Sequence, residues 1–438
     1  MKNLTFLFTM LLAMVVLPAQ AELRIEITKG VDNAVRVAVV PMVWRGEGSL
    51  PEDVTSIIDS DLTMSGRFST LPVKQMLSLP TSGKDIFYRD WRLLKVEYLI
   101  IGYLSPNGDR IKLHFGLYNV FKQAVEVEQT IEGTKDELRD MAHYVSNVVY
   151  QRLTGIKGAF DTQIMYVTVL GPLKHRQYRL NIADADGRRA ETILKTNEPI
   201  LSAVWGPKGQ RIAYVSFQHG DKPAIYMRNL VTNQVQQLTD YEGLNSAPAF
   251  SPDGKQLAMV LSKDGNPDIY ILNLQTRRLQ RITRHYAIDT EPSFTPDGKS
   301  IVFTSDRGGS PQIYEIHLSD LSIERLTFEG SYNAKATMLP DGSGLVLVHR
   351  RDGIFHIALL NLNTGRFTVL TQTSLDESPS IAPNGSMLIY ATQVNGRGIL
   401  AAVSIDGGVK FNLPATEGDV RDPAWSPVSR MTFTPIPE

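Results

Sequence analysis

The residues in this sequence that are most able to carry chemistry form short motifs, and each motif lacks a part that its reaction needs. The nucleophile elbow Gly-x-Ser-x-Gly of serine hydrolases does not occur. Gly298-Lys299-Ser300 matches the end of a phosphate-binding loop, but Ser293 stands where the loop requires its first glycine. Asp184-Ala185-Asp186-Gly187 suggests a calcium loop, yet Ile182 and Ile193 occupy its first and last ligand positions. These motifs therefore do not predict an enzyme.

Metal-binding candidates are similarly incomplete. His349 and His356 lie close in sequence, but no third zinc ligand is identifiable, so we interpret them as strand residues that face solvent or a neighbouring sheet. The carboxylates of Asp289, Glu291 and Glu377 remain a weaker candidate site for a cation. The chain has no cysteine, which excludes disulfides, thiolate metal sites and a cysteine nucleophile. We therefore expect no catalytic residues, no metal and no cofactor.

Length and charge limit the remaining functions. A chain of 438 residues exceeds what one hydrophobic core usually organises, so two domains are expected unless the chain contains repeats. The 45 Lys and Arg residues balance 46 Asp and Glu residues, giving a net charge of -1. Because no global basic field exists, nucleic-acid binding by bulk electrostatics is not expected.

The first 21 residues have the pattern of a secretory signal peptide. Lys2 precedes an apolar run, residues 4–17, and Ala19-Gln20-Ala21 provides a small-x-small cleavage site before Glu22. The run is shorter than the roughly 20 apolar residues of a membrane-spanning helix, and no cysteine follows it for lipid attachment. We therefore expect a soluble, exported and periplasmic protein without direct membrane insertion.

Residues 35–158 alternate between strand and helix patterns. Ser49-Leu50-Pro51-Glu52 and Thr134-Lys135-Asp136-Glu137 both match the capping box, so each predicts the start of a helix. Residues 110–121 and 124–131 alternate as the strands of a hairpin do. The sequence predicts a small α/β or α+β domain, preceded by a separate segment (residues 22–34).

Residues 159–438 repeat with a period near 44. Six prolines, each two positions after a large apolar residue, recur at intervals of 45, 44, 44, 43 and 44. They are Pro207, Pro252, Pro296, Pro340, Pro383 and Pro427. Four of them open Pro-Asp-Gly or Pro-Asn-Gly turns, in which proline and glycine favour a tight hairpin. We expect the apolar residues to pack between neighbouring sheets; they are Trp205, Phe250, Phe294, Met338, Ile381 and Trp425.

Other marks keep the same period and complete the repeat. Ile-Tyr pairs occur at 225–226, 269–270 and 313–314. Leu-Thr or Ile-Thr pairs occur at 238–239, 282–283, 326–327 and 370–371. Units of this length with four strand patterns predict an all-β six-bladed β-propeller rather than a solenoid. We call the strand that ends near each repeat proline the anchor strand. Because an open ring exposes two sheet edges, we expect the last anchor strand to complete the first blade.

At this level of detail the sequence resembles the TolB family. Residues 247–254 and 291–298 resemble that family's repeats, and Lys157-Gly158-Ala159-Phe160-Asp161-Thr162 resembles its domain junction. The order of signal peptide, small domain and six-bladed propeller is also similar. The resemblance implies a non-enzymatic periplasmic adaptor of the Tol-Pal system, which supports outer-membrane integrity and envelope constriction during cell division.

The resemblance also implies a binding site for the peptidoglycan-associated lipoprotein, Pal, at the mouth of the propeller. We expect it to be lined by residues at the start of the anchor strands: Asn245, Ser246, Ala247, Asp289, Thr290, Glu291, Asn333, Lys335, Asp376, Glu377, Arg421 and Asp422. Residues 245–247 and 289–292 match the family's contact segments best, whereas the family often has an acidic residue at the position of Lys335. The alternative is that all are ordinary solvated turn residues.

A second site is implied at the mature N-terminus, where the family binds TolA. It comprises Glu22, Leu23, Arg24, Ile25, Glu26, Ile27 and Thr28. Their apolar and polar alternation is typical of a strand, which is either added to a partner's sheet or forms an edge strand of the N-terminal domain. Pal and TolA are thus the expected partners of a monomer, with other outer-membrane proteins as further candidates. The alternative function is a propeller enzyme or small-ligand binder acting in the axial channel, such as a quinone-dependent dehydrogenase.

Overall fold

The computed structural model describes residues 25–27, 34–218, 222–414, 417–431 and 433–436. The predicted signal peptide lies outside them, as do Glu22, Leu23, Arg24 and Thr28 of the predicted TolA segment. From that segment the structure describes strand β1 (Ile25–Ile27). Among the described residues, none of the helices combines the length and apolar character that crossing a membrane requires.

The N-terminal domain is a mixed sheet covered by helices. Its strands are β2 (Val35–Val39), β3 (Val43–Trp44), β4 (Phe68–Thr70), β5 (Tyr98–Asn107), β6 (Arg110–Asn119) and β7 (Ala124–Gly133). Its helices are α1 (Val54–Met64), α2 (Tyr88–Leu93) and α3 (Leu138–Thr154), with 3-10 turns at Val73–Gln75, Gly83–Asp85 and Lys135–Glu137. The sheet order is β4-β2-β5-β6-β7, and the short strand β3 pairs in parallel with the end of β5. Apolar residues of α1 and α3 share a core with β2, β5 and β6.

One predicted helix start is confirmed and the other is wrong. Thr134 N–H donates to Glu137 Oε2 at 2.7 Å, which is the capping box predicted before α3. At α1, by contrast, the cap is Asp53, whose Oδ1 accepts from Thr55 N at 3.1 Å and Ser56 N at 3.3 Å. Aspartate is as good a cap as serine, and Asp53 lies immediately before the apolar face of the helix, so it replaces Ser49.

Phe433 and Ile436 pack on the N-terminal domain, whereas the strands between Thr162 and Ser429 form a six-bladed all-β propeller. Its strands are β8 (Thr162–Leu170), β9 (Gln177–Asp184), β10 (Glu191–Thr196), β11 (Ile200–Trp205), β12 (Arg211–Ser216), β13 (Ala224–Asn229), β14 (Val235–Gln237), β15 (Asn245–Phe250), β16 (Gln256–Leu261), β17 (Asp268–Asn273), β18 (Leu279–Arg281), β19 (Asp289–Phe294), β20 (Ser300–Ser305), β21 (Gln312–His317), β22 (Ile323–Arg325), β23 (Asn333–Met338), β24 (Gly344–Arg351), β25 (Ile354–Asn361), β26 (Phe367–Val369), β27 (Glu377–Ile381), β28 (Met387–Val394), β29 (Arg397–Ser404), β30 (Val409–Asn412) and β31 (Asp419–Ser429). A 3-10 turn, Leu173–His175, follows β8.

The ring closes as predicted. Blade 1 has the order β10-β9-β8-β31, so the last strand of the chain completes the first blade. Blades 2 to 5 are β11–β14, β15–β18, β19–β22 and β23–β26, and blade 6 contains β27–β30. The anchor strands β31, β11, β15, β19, β23 and β27 contact one another in turn around the ring. They therefore lie nearest the propeller axis.

Each periodic mark of the sequence has a local structural cause. The predicted inter-sheet residues pack into the apolar clusters between blades; for example, Phe250 joins the cluster shared by blades 2 and 3. The threonine of each Leu-Thr or Ile-Thr pair is buried and accepts an N–H of the third strand. These bonds are Ile225 to Thr239, Ile269 to Thr283, Ile313 to Thr327 and Ile357 to Thr371. In blades 2 to 5 the hydroxyls thereby hold the segment after the last strand to the third strand.

Closure of the ring provides a first prediction. Ser380 Oγ, in the anchor strand of blade 6, accepts the backbone N–H of Trp425 in β31 at 2.8 Å. We expect Ser380→Ala to lower the free energy of unfolding by about 1 kcal/mol because this N–H loses its acceptor. Ser293 occupies the same repeat position in blade 4 and makes no such side-chain bond among the described residues. In urea unfolding Ser293→Ala should therefore change stability by less than about 0.5 kcal/mol, and equal effects would contradict the assignment.

Strand β1 is not an edge strand of the N-terminal domain, so that alternative is wrong. It pairs antiparallel with β30, with Ile25 opposite Phe411 and Ile27 opposite Val409. Blade 6 consequently has five strands, in the order β1-β30-β29-β28-β27. Strand β1 thus lies at the outer edge of the propeller.

Candidate partner-binding site at the channel mouth

The two ends of the propeller channel differ in what covers them. Each anchor strand begins at one end and runs to a proline turn at the other. The N-terminal domain lies against the proline-turn end: Asn384 Nδ2, in the turn of blade 6, donates to Lys157 O at 2.9 Å. Met64 and Phe160 line a cavity together with the same Asn384. The end at which the anchor strands begin, called here the channel mouth, therefore faces away from the N-terminal domain.

A ring of six strained residues surrounds the channel at this end. One residue near the start of each anchor strand has a left-handed backbone, with φ between 46° and 53°: Ser202, Ala247, Glu291, Lys335, Ser378 and Asp422. The strand pairing shifts register at each of these positions, which marks a β-bulge. Non-glycine residues in this conformation cost on the order of 1 kcal/mol each, so the ring places its side chains at an energetic cost.

Four members of this ring are joined by hydrogen bonds. Glu291 Oε2 accepts the backbone N–H of Lys335 at 2.8 Å and the Thr304 hydroxyl at 2.9 Å. Lys335 Nζ donates to Ser378 Oγ at 2.7 Å, and that hydroxyl donates to Asp422 Oδ1 at 3.0 Å. The chain therefore runs continuously through blades 4, 5, 6 and 1.

The remaining part of the ring is small and open. Ser202 and Ala247, from blades 2 and 3, carry short side chains and line a cavity of about 190 Å³ together with Glu291, Lys335 and Asp422. Lys335 Nζ lies 3.7 Å from Asp422 Oδ1 and supplies an internal counter-ion. The mouth is thus asymmetric, with a charged side and an open side.

Four of the twelve predicted contact residues are buried. Asn245, Asp289, Asn333 and Asp376 each have 0% of their surface exposed. A side chain without exposed surface cannot contact a partner in this conformation, so the expectation that these four line the surface requires correction. Their burial could not be predicted from residue type, because it results from the connecting segments that fold over these four side chains.

The buried four hold those connecting segments in place. Asp289 accepts two bonds from Arg307 Nη2, at 2.9 and 2.8 Å. Asn245 Nδ2 donates to Tyr241 O at 2.7 Å, and Asn333 Oδ1 lies 2.9 Å from His349 Nδ1. They are therefore positioning residues beneath the mouth.

The histidine pair predicted as strand residues has the same role. His349 and His356 face each other across β24 and β25. His349 contacts Asn333, and His356 Nδ1 lies 3.7 Å from Asp376 Oδ2. Asp376 also accepts a 2.5 Å hydrogen bond from the Thr371 hydroxyl. Both histidines thus support the start of an anchor strand.

The other eight predicted residues reach the surface to different degrees. Glu377 is exposed, and the half-exposed residues are Ser246, Ala247, Thr290, Glu291, Lys335, Arg421 and Asp422. Sequence reasoning missed a neighbouring group of aromatic residues. Tyr286 and Phe328 are 85% and 74% exposed, and both lie in segments that lead into the anchor strands of blades 4 and 5. The available signal was an aromatic residue shortly after three of the four Ile-Thr or Leu-Thr pairs: Tyr241, Tyr286 and Phe328.

The remaining sequence motifs have structural partners. In Gly298-Lys299-Ser300, Ser300 Oγ lies 2.8 Å from His317 Nδ1, next to the turn between β19 and β20. Asp184 accepts from Arg189 Nε at 2.7 Å and Arg430 Nη1 at 3.0 Å. Asp186 also pairs with an arginine, Arg139. These carboxylates are engaged by guanidinium groups, in keeping with the missing ligands of the calcium pattern.

Comparison with known proteins supports the same organisation. Residues 150–429 match the family described as the TolB beta propeller domain, and residues 23–125 match the TolB amino-terminal domain. The chain is 57% identical over 412 residues to the Tol-Pal system protein TolB of Alcanivorax borkumensis, covering 93% of this chain and 94% of that protein. It is 52% identical over 412 residues to the Tol-Pal system protein TolB of Pseudomonas syringae, covering 93% and 95%.

A solved structure agrees over nearly the whole chain. The crystal structure of TolB from Acinetobacter baumannii matches with a TM-score of 0.85 and 42% identity, covering 92% of this chain and 100% of that one. This chain and the Acinetobacter baumannii protein therefore share the same fold. The chain belongs to the TolB family.

Proposed function

We propose that the protein is a non-enzymatic, periplasmic adaptor of the Tol-Pal system that binds Pal at the channel mouth and TolA through its N-terminal segment. Membership of the Tol-Pal system is supported by relatives that carry the name Tol-Pal system protein TolB. The predicted signal peptide supports the periplasmic location. The observation that carries the proposal is the strained, polar ring at an end of the propeller that the N-terminal domain leaves open. Such strain is characteristic of binding sites.

The channel mouth presents charged side chains of both signs that can recognise Pal. Glu291, Glu377 and Asp422 supply carboxylates, whereas Lys335 and Arg421 supply cations, and all five have exposed surface. Most of these groups are fixed by the strained backbone of the anchor strands. Preorganised charges cost less to order on binding than flexible ones, so they favour specific recognition of a folded partner.

The exposed aromatic residues extend this surface outward. Tyr286 stacks on His285 with ring centroids 4.2 Å apart, so it is held although 85% of its surface is exposed. Phe328 lies under the Arg325 guanidinium, 5.0 Å from the ring centroid. Aromatic residues dominate the energetics of many protein interfaces. We propose that they contact Pal beside the charged mouth.

This extension yields a prediction. We expect Tyr286→Ser to raise the Kd for purified Pal about tenfold, because the interface loses an aromatic contact of on the order of 1–2 kcal/mol. Phe121→Ser is the matched control, since Phe121 is 59% exposed in the hairpin turn of the N-terminal domain. Isothermal titration calorimetry measures both. Equal affinities for Tyr286→Ser and the control would place Tyr286 outside the interface.

The short pairing of β1 with β30 makes this strand available for TolA recognition. Among the described residues, three residue pairs join β1 to β30, and β1 is the outermost strand of its sheet. A strand held this way has one paired and one free edge, and its backbone groups are those that a partner's sheet would use. We propose that the segment leaves β30 when TolA adds it to its own sheet. Remaining on the blade and binding TolA then exclude each other.

The test uses purified Pal and TolA as separate ligands of the mature protein. We expect both to bind in calorimetry, and a saturating amount of either should leave the other's binding site intact. Amide hydrogen exchange should show protection by Pal at residues 286–291 and 328–335, and a loss of protection at residues 409–412 when TolA binds. Protection by Pal on the proline-turn face instead would refute the assigned mouth.

A further inference from the structure

A second concentration of charge lies between the two domains, away from the mouth. Its members come from four elements: Asp61 of α1; Arg139, Asp140 and His143 of α3; Asp184, Asp186 and Arg189 at and after the end of β9; and Arg430 just after β31. Nothing in the proposed partner binding uses these residues. The cluster joins the N-terminal domain, the first blade and the end of the strand that closes the ring.

Guanidinium groups bridge the domains within this cluster. Arg189 of the propeller donates to both oxygens of Asp140 on α3, at 2.8 and 2.6 Å, and to Asp184 at 2.7 Å. In the opposite direction, Arg139 of α3 donates to Asp186 at 2.5 Å. Arg430 donates to Asp184 at 3.0 Å. The interface is therefore held by reciprocal charge-assisted bonds, which are stronger than neutral ones.

His143 is the least exposed charged candidate of the cluster. Its side chain is 1% exposed, and its Nδ1 lies 2.8 Å from Asp61 Oδ2. Its Nε2 is buried without a hydrogen-bond partner among the described residues. A ring nitrogen of His143 lies within 4.8 Å of carboxylate oxygens of Asp184 and Asp186. The imidazole thus faces three carboxylates from both domains.

The cluster contains one more carboxylate than it contains guanidinium groups. Asp61, Asp140, Asp184 and Asp186 provide four buried or partly buried carboxylates, against the three guanidiniums of Arg139, Arg189 and Arg430. Glu52 is peripheral, with its side chain 41% exposed and 3.6 Å from Arg139. An uncompensated buried charge is costly, so a fourth positive charge would balance the four carboxylates. A divalent ion fits poorly, because Arg139 and Arg189 already donate to the carboxylates of Asp184 and Asp186.

We propose that His143 is held as an imidazolium, and that its charge neutralises the interdomain cluster and locks the N-terminal domain to blade 1. His143 is in this view a positioning residue for the arrangement of the two domains. Its removal or deprotonation leaves one carboxylate without a counter-ion at the interface. The lock then weakens even though no guanidinium bond is changed.

The pKa of His143 is raised, which is the direction that an imidazolium at neutral pH requires. Burial by itself lowers the pKa of His143, but the charge and hydrogen bond of Asp61, together with the charge of Asp186, raise it to about 9. Because the folded value lies above the unfolded value near 6.5, the stabilisation is complete below pH 6.5. It is lost as the pH rises through 9. The interface is therefore expected to be firm at neutral pH and to loosen under alkaline conditions.

The direct test is an NMR titration of the mature protein with ¹³C-labelled histidine. We expect one imidazole, absent from the His143→Gln spectrum, to titrate with a midpoint near 9. His175 is exposed on the loop after β8, so His175→Gln identifies a control resonance on the surface. A His143 midpoint at or below 6.5 would overturn the proposal. The midpoint is measured on the wild-type protein, and the His143→Gln spectrum serves only to assign the resonance.

A charge-compensation cycle tests the lock itself. At pH 7 we expect His143→Gln to raise the unfolding equilibrium constant on the order of 100-fold, with little further change up to pH 10. The wild-type protein should lose stability over the same range. Asp186→Asn should cost at least tenfold less in the His143→Gln background than alone, because it restores neutrality. Equal costs in both backgrounds, or an unchanged pH slope in His143→Gln, would show that the imidazolium does not balance the cluster.

Discussion

The Glu291→Lys substitution is expected to raise the Kd for Pal on the order of 100-fold, about 2.7 kcal/mol of binding free energy. Glu291 accepts the Lys335 N–H and the Thr304 hydroxyl, so its replacement leaves both without their acceptor. The new ammonium also lies beside Lys335 and reverses the sign of charge on the blade 4 side of the mouth. Truncating one member of a fixed charged contact commonly costs 2–5 kcal/mol.

The control carries the same charge change in the same blade. Glu324 is exposed on the outer strand β22, far from the channel. Glu324→Lys should leave the Kd for Pal within about twofold of the wild type. Calorimetry of the two variants separates a local contact from a general effect of net charge. If both variants bind Pal as the wild type does, Glu291 is not part of the site.

Deleting residues 22–33 is expected to abolish measurable TolA binding and to leave the Kd for Pal within about twofold. The deletion removes β1, whose three pairs with β30 lie on the outer edge of blade 6, whereas the anchor strands that form the mouth are untouched. Because an edge strand of this length contributes little stability, the propeller should remain folded. Surface plasmon resonance with immobilised TolA and with immobilised Pal measures both effects. Loss of both partners would show that the segment is structural.

The propeller could be predicted because its signals are local. A Pro-Asp-Gly turn such as 252–254 sets a hairpin by itself, and the apolar residue two positions earlier packs on the next repeat. Phe250 and Thr239 are examples in which residue type and period were sufficient to indicate blade packing. Closure by β31 followed because an unclosed ring would leave free sheet edges.

The predictions that were wrong concern features that depend on contacts between distant segments. Asn245 and Asp289 have the polar character of surface turns, but connecting segments and Arg307 cover them. The pairing of β1 with β30 joins opposite ends of the chain, and its alternating pattern is equally consistent with either domain. At α1, the cap is Asp53 and not the predicted Ser49, because the first helical turn begins later than the capping-box pattern indicates.

The candidate site shows the same division. The family resemblance predicts a site at the start of the anchor strands, where Lys335 lies. Its bond to Ser378 and its approach to Asp422 require three blades to be closed into a ring, which no local window contains. The exposure of Tyr286 likewise depends on how the segment before β19 folds.

The central claim is that two separate sites on one chain bind two partners, and a pull-down with three baits tests it most directly. Wild type, Glu291→Lys and the deletion of residues 22–33 are each incubated with envelope extract, and retained Pal and TolA are quantified by immunoblot. We predict that the wild type retains both, Glu291→Lys retains only TolA, and the deletion retains only Pal. Retention of Pal by Glu291→Lys at the wild-type level, or loss of both partners from either variant, would contradict the claim.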